Sequence, residues 1–299
     1  MKRPPERPPA SREQRLRDWY VRRIRSYLPR ELDRQRIKLL YFVWGYWPLL
    51  RLQALTVVDR LRLLARFLRI DWHVLHSHQP CEIASVCTVL AQRPARRGEV
   101  MVEAGCWNGG ASAKFSLVCK LGGYRLRIYD SFEGVEPMTS EEKQRGYDFS
   151  GEYVASDATL RANLQRFGAP DVCSIHKGWF AATLARSPVA EVVRVVFIDC
   201  DSAKGTQEVL LGVVPSLASD GVVFTQDFHI ASVRDLLLDR RTWERYGRGD
   251  PGIERLCGHL AVLRLPQHLE RRVLPDRRRA PERRVAERRV APPRQPATL

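Results

Sequence analysis

Apolar positions along the chain change their rhythm near residue 98. Before that point they recur at helical intervals: Leu16, Trp19 and Tyr20, Ile24, Tyr27 and Leu28 fall on one face, with arginines between them. The aromatic run YFVWGYW follows at 41–47, and a second arginine-studded helical pattern covers 52–70. Beyond residue 98, short β-branched runs alternate with helical stretches, as in a parallel sheet covered by helices. The runs predict strands at 100–104, 125–129, 172–176, 192–198 and 221–225, with 259–265 closing the sheet as an antiparallel edge. Helices are expected from the turn at 105–110 through 121, and over 157–167, 203–217 and 232–246. Residues 132–155 read as a polar, glycine-containing loop able to fold over a ligand. The order predicts an α/β fold: a Rossmann-like, doubly wound, mostly parallel sheet.

These patterns divide the chain into four parts. Residues 1–10 are rich in proline and arginine and predict disorder; 11–78 form a basic helical extension; 79–265 form the α/β domain. The tail, 266–299, repeats ERRV at 270–273, 282–285 and 287–290 between prolines, a composition that also predicts disorder.

Charge follows the same division. The net charge of +16 is carried by the ends: residues 1–70 hold 18 Lys/Arg against 6 Asp/Glu, and 266–299 hold 10 against 4. The centre is close to neutral, so no nucleic-acid groove is expected across the main domain. The extension has two readings, a helical cap on the core or a basic amphipathic segment, 11–70, lying on an anionic membrane surface. Its longest apolar run, 39–50, is interrupted by Gly45 and Pro48 and is too short to span a bilayer, and the N-terminus lacks the apolar core of a secretory signal. The seven cysteines form no C-x-x-C pair and sit in apolar patterns, which suits a reducing cytoplasm.

The candidate chemistry lies at strand ends. Residues 102–110 read VEAGCWNGG, a strand running into a glycine-bearing turn that opens a helix. Such a turn brings backbone close to a ligand and aims free N–H groups at it. The glycines Gly105, Gly109 and Gly110 do not follow G-x-G-x-x-G, and Glu103 sits badly beside a pyrophosphate but suits a cationic donor such as S-adenosylmethionine. The next strand ends at Asp130, where an acid can accept hydrogen bonds from both ribose hydroxyls. Trp107, Asn108 and Ser131 flank these positions, and Gly178 and Trp179 follow the third strand on the adenine side.

Two later strands also end in acids, at Asp199-Cys200-Asp201 and at Gln226-Asp227-Phe228-His229. Carboxylates from adjacent strand ends make a hard-oxygen site of the kind Mg²⁺ takes. A metal there would acidify a substrate hydroxyl, with Asp201 or His229 accepting its proton. His73, His76 and His78 cluster in sequence without a fourth ligand, and read as a gate over the acceptor or as structural.

Taken together, VEAGCWNGG at 102–110, YDSFEGV at 129–135, RANLQRFG at 161–168, HKGWFAATL at 176–184 and FIDCD at 197–201 with Thr206 resemble the macrocin-type bacterial sugar O-methyltransferases. The resemblance covers residues 99–230. It implies a class I fold, S-adenosylmethionine as donor, Mg²⁺ dependence and a hydroxyl acceptor on a sugar, glycan or glycosylated natural product. It also places metal-binding acids at Asp199 and Asp227 and the general base at Asp201. The chain departs from the family pattern at Gln226, where the first of two adjacent aspartates is expected. It departs again at Ala203 and Lys204, in place of a tyrosine and a glutamate. Gln226 keeps an oxygen ligand but loses a charge, which leaves a second reading open: a donor-binding protein that has lost catalysis and acts as a scaffold through its basic ends. A homo-oligomer is compatible with either.

Overall fold

The computed structural model describes residues 43–144 and 148–266. The expectations for 1–42 and for the ERRV tail from 267 fall outside the described residues.

Helix α1 (Trp47–Leu50) leads to α2 (Val57–His73), whose start is fixed by Thr56: its side chain accepts from the amide of Asp59. The 52–70 pattern therefore becomes helical five residues late and runs three residues on. Helix α3 (Pro80–Ala91) was not foreseen by periodicity, because 10 of its 12 residues are buried and it has no polar stripe. Its first turn is locked by Glu82, which accepts from the amide of Gln79 at 2.7 Å and from that of His259 at 2.7 Å.

The α/β alternation begins at β1 (Glu99–Ala104) and α4 (Gly110–Gly122), followed by β2 (Arg125–Asp130). The long loop holds a short helix α5 (Ser140–Gln144), and α6 (Asp157–Phe167) leads into β3 (Cys173–Lys177). Then come β4 (Val192–Ile198), α7 (Ala203–Val213) and β5 (Leu217–Thr225). The helix expected over 232–246 is two: α8 (Ala231–Leu238) and α9 (Arg240–Glu244), broken where the Asp239 side chain caps the second by accepting from the Arg241 amide.

The sheet order is β3-β2-β1-β4-β5-β7-β6, with β1 to β5 all parallel. Strand β7 (Ala261–Arg264) runs antiparallel to β5, as expected for 259–265, but it is not the edge. A further strand β6 (Gly252–Arg255) pairs outside it. Its mostly exposed side chains left no apolar alternation to read. Each face of the sheet carries its own core. Met101, Ile128 and Phe197 pack under α2, α3, α4 and α6, while Val100, Val102 and Val196 pack under α7 and α8. Tyr46, Phe67 and Ile70 belong to the first of these cores, so the segment preceding residue 79 packs on the sheet.

Candidate active site

The order reverses between β1 and β4, and an open sheet binds ligands beyond its carboxyl ends at that switch. The two strands come so close there that a Cβ on Gly105 would lie 1.8 Å from the carbonyl oxygen of Asp199. With φ +86° the position admits only glycine without strain. The turn then carries Trp107 at φ 44° and Gly109 at φ +81° before α4 begins.

Asp130, at the end of β2, organises this turn. Its Oδ2 accepts from the amides of Cys106 (2.7 Å) and Trp107 (3.2 Å), and its Oδ1 accepts from Phe132 N (2.7 Å). A carboxylate offers about four lone-pair sites, so this aspartate can hold the turn and still accept from a ligand hydroxyl.

Beyond β4 and β5, one oxygen from each of Asp199, Asp201 and Asp227 lies within 4.8 Å of the others. Asp227 is fully buried; Oδ2 accepts from the amides of Cys200 (2.9 Å) and Asp201 (3.0 Å), while Oδ1 is buried without a partner. Asp201 is held at φ 54°, an uncommon conformation for a residue with a Cβ. Burial, and then the neighbouring Asp199, push its carboxyl up to about 7. Burial, with Asp201 and Asp199 adding to it, pushes Asp227 well above the carboxylate range. Three carboxylates cannot all ionise together in such a place without a counter-charge. An orphaned buried oxygen and an all-oxygen donor set fit a divalent cation.

Both sets of residues open on one cavity of about 260 Å³. Gly105, Trp107, Asn108, Asp130, Ser131 and Trp179 line it from the glycine turn, the end of β2 and the loop after β3, and Asp199, Asp201, Gln226 and His229 from the ends of β4 and β5. Four expected site residues do not line it. Asp227 stands behind the wall, fully buried. Gly109 makes the left-handed entry to α4 and packs against Leu160, and Gly178 donates its N–H to the carbonyl of Asp130. Glu103 is fully buried, away from the cavity wall. Burial raises its carboxyl well above the usual range, against a smaller lowering by the Ser112 hydroxyl, which weakens the argument from its charge.

His229 is in the wall, its ring 4.1 Å from that of His259, and burial followed by His259 lowers its imidazole below the usual value. Gln226 is buried beside it, its backbone carbonyl oxygen bonded to His229 Nδ1. Lys204, the departure after Asp201, pairs with Glu136 while Ser202 Oγ donates to the same carboxylate (2.9 Å), tying the 131–155 loop to the start of α7. That loop sends Phe149 and Tyr153 into the cavity, and the Tyr153 ring meets Trp107 edge-on at 5.4 Å.

The histidines before α3 do not form a metal cluster; among the described residues only the three aspartates do. His73 bonds the Arg69 carbonyl at the end of α2. His76 and His78 both line the cavity. His78 Nε2 meets Asp199 Oδ2 at 2.8 Å, across 121 residues of sequence. His76 Nε2 meets Asp71 Oδ1 at 2.7 Å within a buried network: Lys114 Nζ pairs with the same oxygen and Tyr46 OH donates to Asp71 Oδ2 at 2.8 Å. The His73 and His76 bonds are local, but the partnerships of His78, Lys114 and Tyr46 join segments 25 to 121 residues apart, and nothing local in the sequence announces them.

Residues 88–246 match the family model described as Macrocin-O-methyltransferase (TylF), slightly more than half of the chain. The chain belongs to the macrocin O-methyltransferase family. Among its relatives is the 8-demethyl-8-(2,3-dimethoxy-alpha-L-rhamnosyl)-tetracenomycin-C 4'-O-methyltransferase of Streptomyces olivaceus. It is 31% identical over 160 residues, 50% of this chain and 60% of that protein, so the similarity spans less than two thirds of the relative's own length. The mycinamicin III 3''-O-methyltransferase of Micromonospora griseorubida is 30% identical over 179 residues, 56% of this chain and 69% of that protein. The structure of the O-methyltransferase NovP superposes with a TM-score of 0.51 at 17% identity, over 60% of this chain and 78% of that one, a likeness of fold. The family segment contains Asp130 and all three clustered aspartates, while Tyr46, Asp71, His76, His78 and His259 lie outside it.

Proposed function

We propose that the protein is an S-adenosylmethionine-dependent O-methyltransferase acting on a hydroxyl of a sugar, glycan or glycosylated small molecule. The carrying observation is that one cavity joins a donor turn organised by Asp130 to a buried cluster of three aspartates. Membership of the family and the sugar-directed names of both relatives support the acceptor class.

In this reading Asp130 accepts from the ribose hydroxyls, with Trp107, Asn108, Ser131 and Trp179 enclosing the nucleoside. Asp199 and Asp227 hold a divalent cation, Mg²⁺ by the chemistry of hard oxygen ligands, and Gln226 supplies a neutral oxygen beside them. When bound, the donor presents an electrophilic methyl group and the cation orients and acidifies the acceptor hydroxyl. Asp201, clustered with Asp199 and Asp227, is the base that accepts the hydroxyl proton. Tyr153 and Phe149 close the cavity side that faces water. The scaffold reading rested on Gln226; membership of the family and relatives that are named O-methyltransferases favour the enzyme over it.

The test is transfer of an isotope-labelled methyl group from S-adenosylmethionine to a panel of sugar nucleotides and glycosides, read by mass spectrometry. The proposal expects one labelled methyl on an acceptor hydroxyl, lost with EDTA and lost in Asp201→Asn, which keeps its donor affinity. Undiminished transfer by Asp201→Asn removes the base assignment, and transfer that survives EDTA removes the cation.

A further inference from the structure

Helix α2 (Val57–His73) has two apolar faces, and the core uses one of them. Leu63, Phe67 and Ile70 are buried. At 3.6 residues per turn, Val57, Leu61 and Trp72 fall on a second face about half a turn away, with Leu68 between them partly buried against the core, and exposed Leu75 follows just past the helix end. Val57 is 63% exposed, Leu61 56%, Trp72 70% and Leu75 70%. Single exposed apolar residues need no explanation, but several on one helix face mark an apolar stripe that something covers.

A basic row runs along one edge of the stripe. Arg62, Arg66 and Arg69 follow each other at helical spacing, all exposed. Arg66 also donates to the carbonyls of Phe167 and Gly168, which fixes the row on the body of the protein. The sequence leading into this helix adds to the charge: residues 1–56 carry 14 Lys/Arg against 5 Asp/Glu. No described helix is long and apolar enough to cross a membrane.

We infer that this face of α2 binds the surface of an anionic lipid bilayer, with the stripe entering the headgroup–acyl boundary and the arginine row on lipid phosphates. A nucleic acid would satisfy the arginines and leave Leu61 and Trp72 in water. A second copy docked antiparallel about a two-fold axis on the stripe would set both arginine rows on the same side of the contact, where they repel. A lipid surface takes both features together, and tryptophan beside arginine suits its interface.

The experiment is co-sedimentation of the full-length protein with vesicles of phosphatidylcholine alone and with about one third phosphatidylglycerol, the mixture supplying the negative surface. The double variant Leu61→Glu/Trp72→Glu is measured beside wild type, and binding of S-adenosylhomocysteine serves as the check on folding. Both substituted residues are solvent-exposed and outside the cavity. Binding to the anionic vesicles only, weakened more than about tenfold in the double variant, is the expected result. Wild type that stays in the supernatant overturns the inference, as does a double variant that sediments equally well, since the basic ends would then suffice. A concentration-dependent dimer in light scattering that the same substitutions dissociate, without vesicle binding, assigns the stripe to a second copy instead.

Discussion

His78 holds Asp199 from a segment that the family match does not include. A ligating carboxylate is oriented by its own hydrogen bonds, and loss of such a partner costs roughly 10–100-fold in metal affinity. His78→Ala is therefore expected to weaken Mn²⁺ binding by that factor, measured by electron paramagnetic resonance, while S-adenosylhomocysteine affinity stays at the wild-type value. Equal weakening of both ligands would reduce His78 to a structural residue. Asp201 makes a prediction of its own through pH. Its carboxyl is raised to about 7 in the fold and returns to about 4 in the unfolded chain, so between those values the folded state binds more protons. Its contribution to stability is then full below about pH 4 and is lost as pH rises towards 7. In cation-free urea melts at about pH 5 and about pH 8, wild type should lose more stability across the interval than Asp201→Asn. Equal losses would mean that Asp201 ionises normally. Asp130, Asp199, Asp201 and Asp227 were legible as acids at strand ends, because strand termini can be read from apolar runs. The burial of Glu103 and the His78–Asp199 pair were not, since burial depth and a contact across 121 residues leave no local pattern.

Among the elements, α4 carries the least expected residue. Lys114 lies in its first turns with no exposed surface, paired with Asp71 of α2, and Tyr46 at the start of α1 bonds the same carboxylate. Removing one partner of a buried ion pair strands the other charge, at a cost of about 3–5 kcal/mol, whereas replacing both by apolar groups costs far less. Lys114→Met alone should show a loss of that size in urea unfolding, and the double replacement Lys114→Met/Asp71→Leu should recover most of it. A double variant no better than the single would show that the pair's polar partners, His76 and Tyr46, carry the stability instead. The helical pattern of α2 and the strands β1 to β5 could be read to within a few residues. Helix α3 escaped because it is apolar all round, and β6 because an edge strand with exposed side chains has no alternation. The break at Asp239 is a cap inside an otherwise continuous pattern, where a short polar side chain outweighs the surrounding helix formers.

At the scale of the whole molecule, a near-neutral sheet domain of the macrocin O-methyltransferase family is joined to a basic helical segment that completes its cavity. His76 and His78 reach the site from that segment, and Tyr46, Phe67 and Ile70 fill the core beneath it. In the proposed reaction, strand ends of one sheet divide the labour within one cavity, Asp130 serving the donor and the aspartate cluster the acceptor. Isothermal titration of S-adenosylhomocysteine into wild type, Asp130→Ala and Asp201→Asn, each checked for an intact fold by thermal unfolding, addresses it directly. Asp130→Ala is expected to lose at least about tenfold in affinity, the worth of one charge-assisted hydrogen bond, while Asp201→Asn titrates as wild type. An Asp130→Ala protein that binds as tightly as wild type would contradict it.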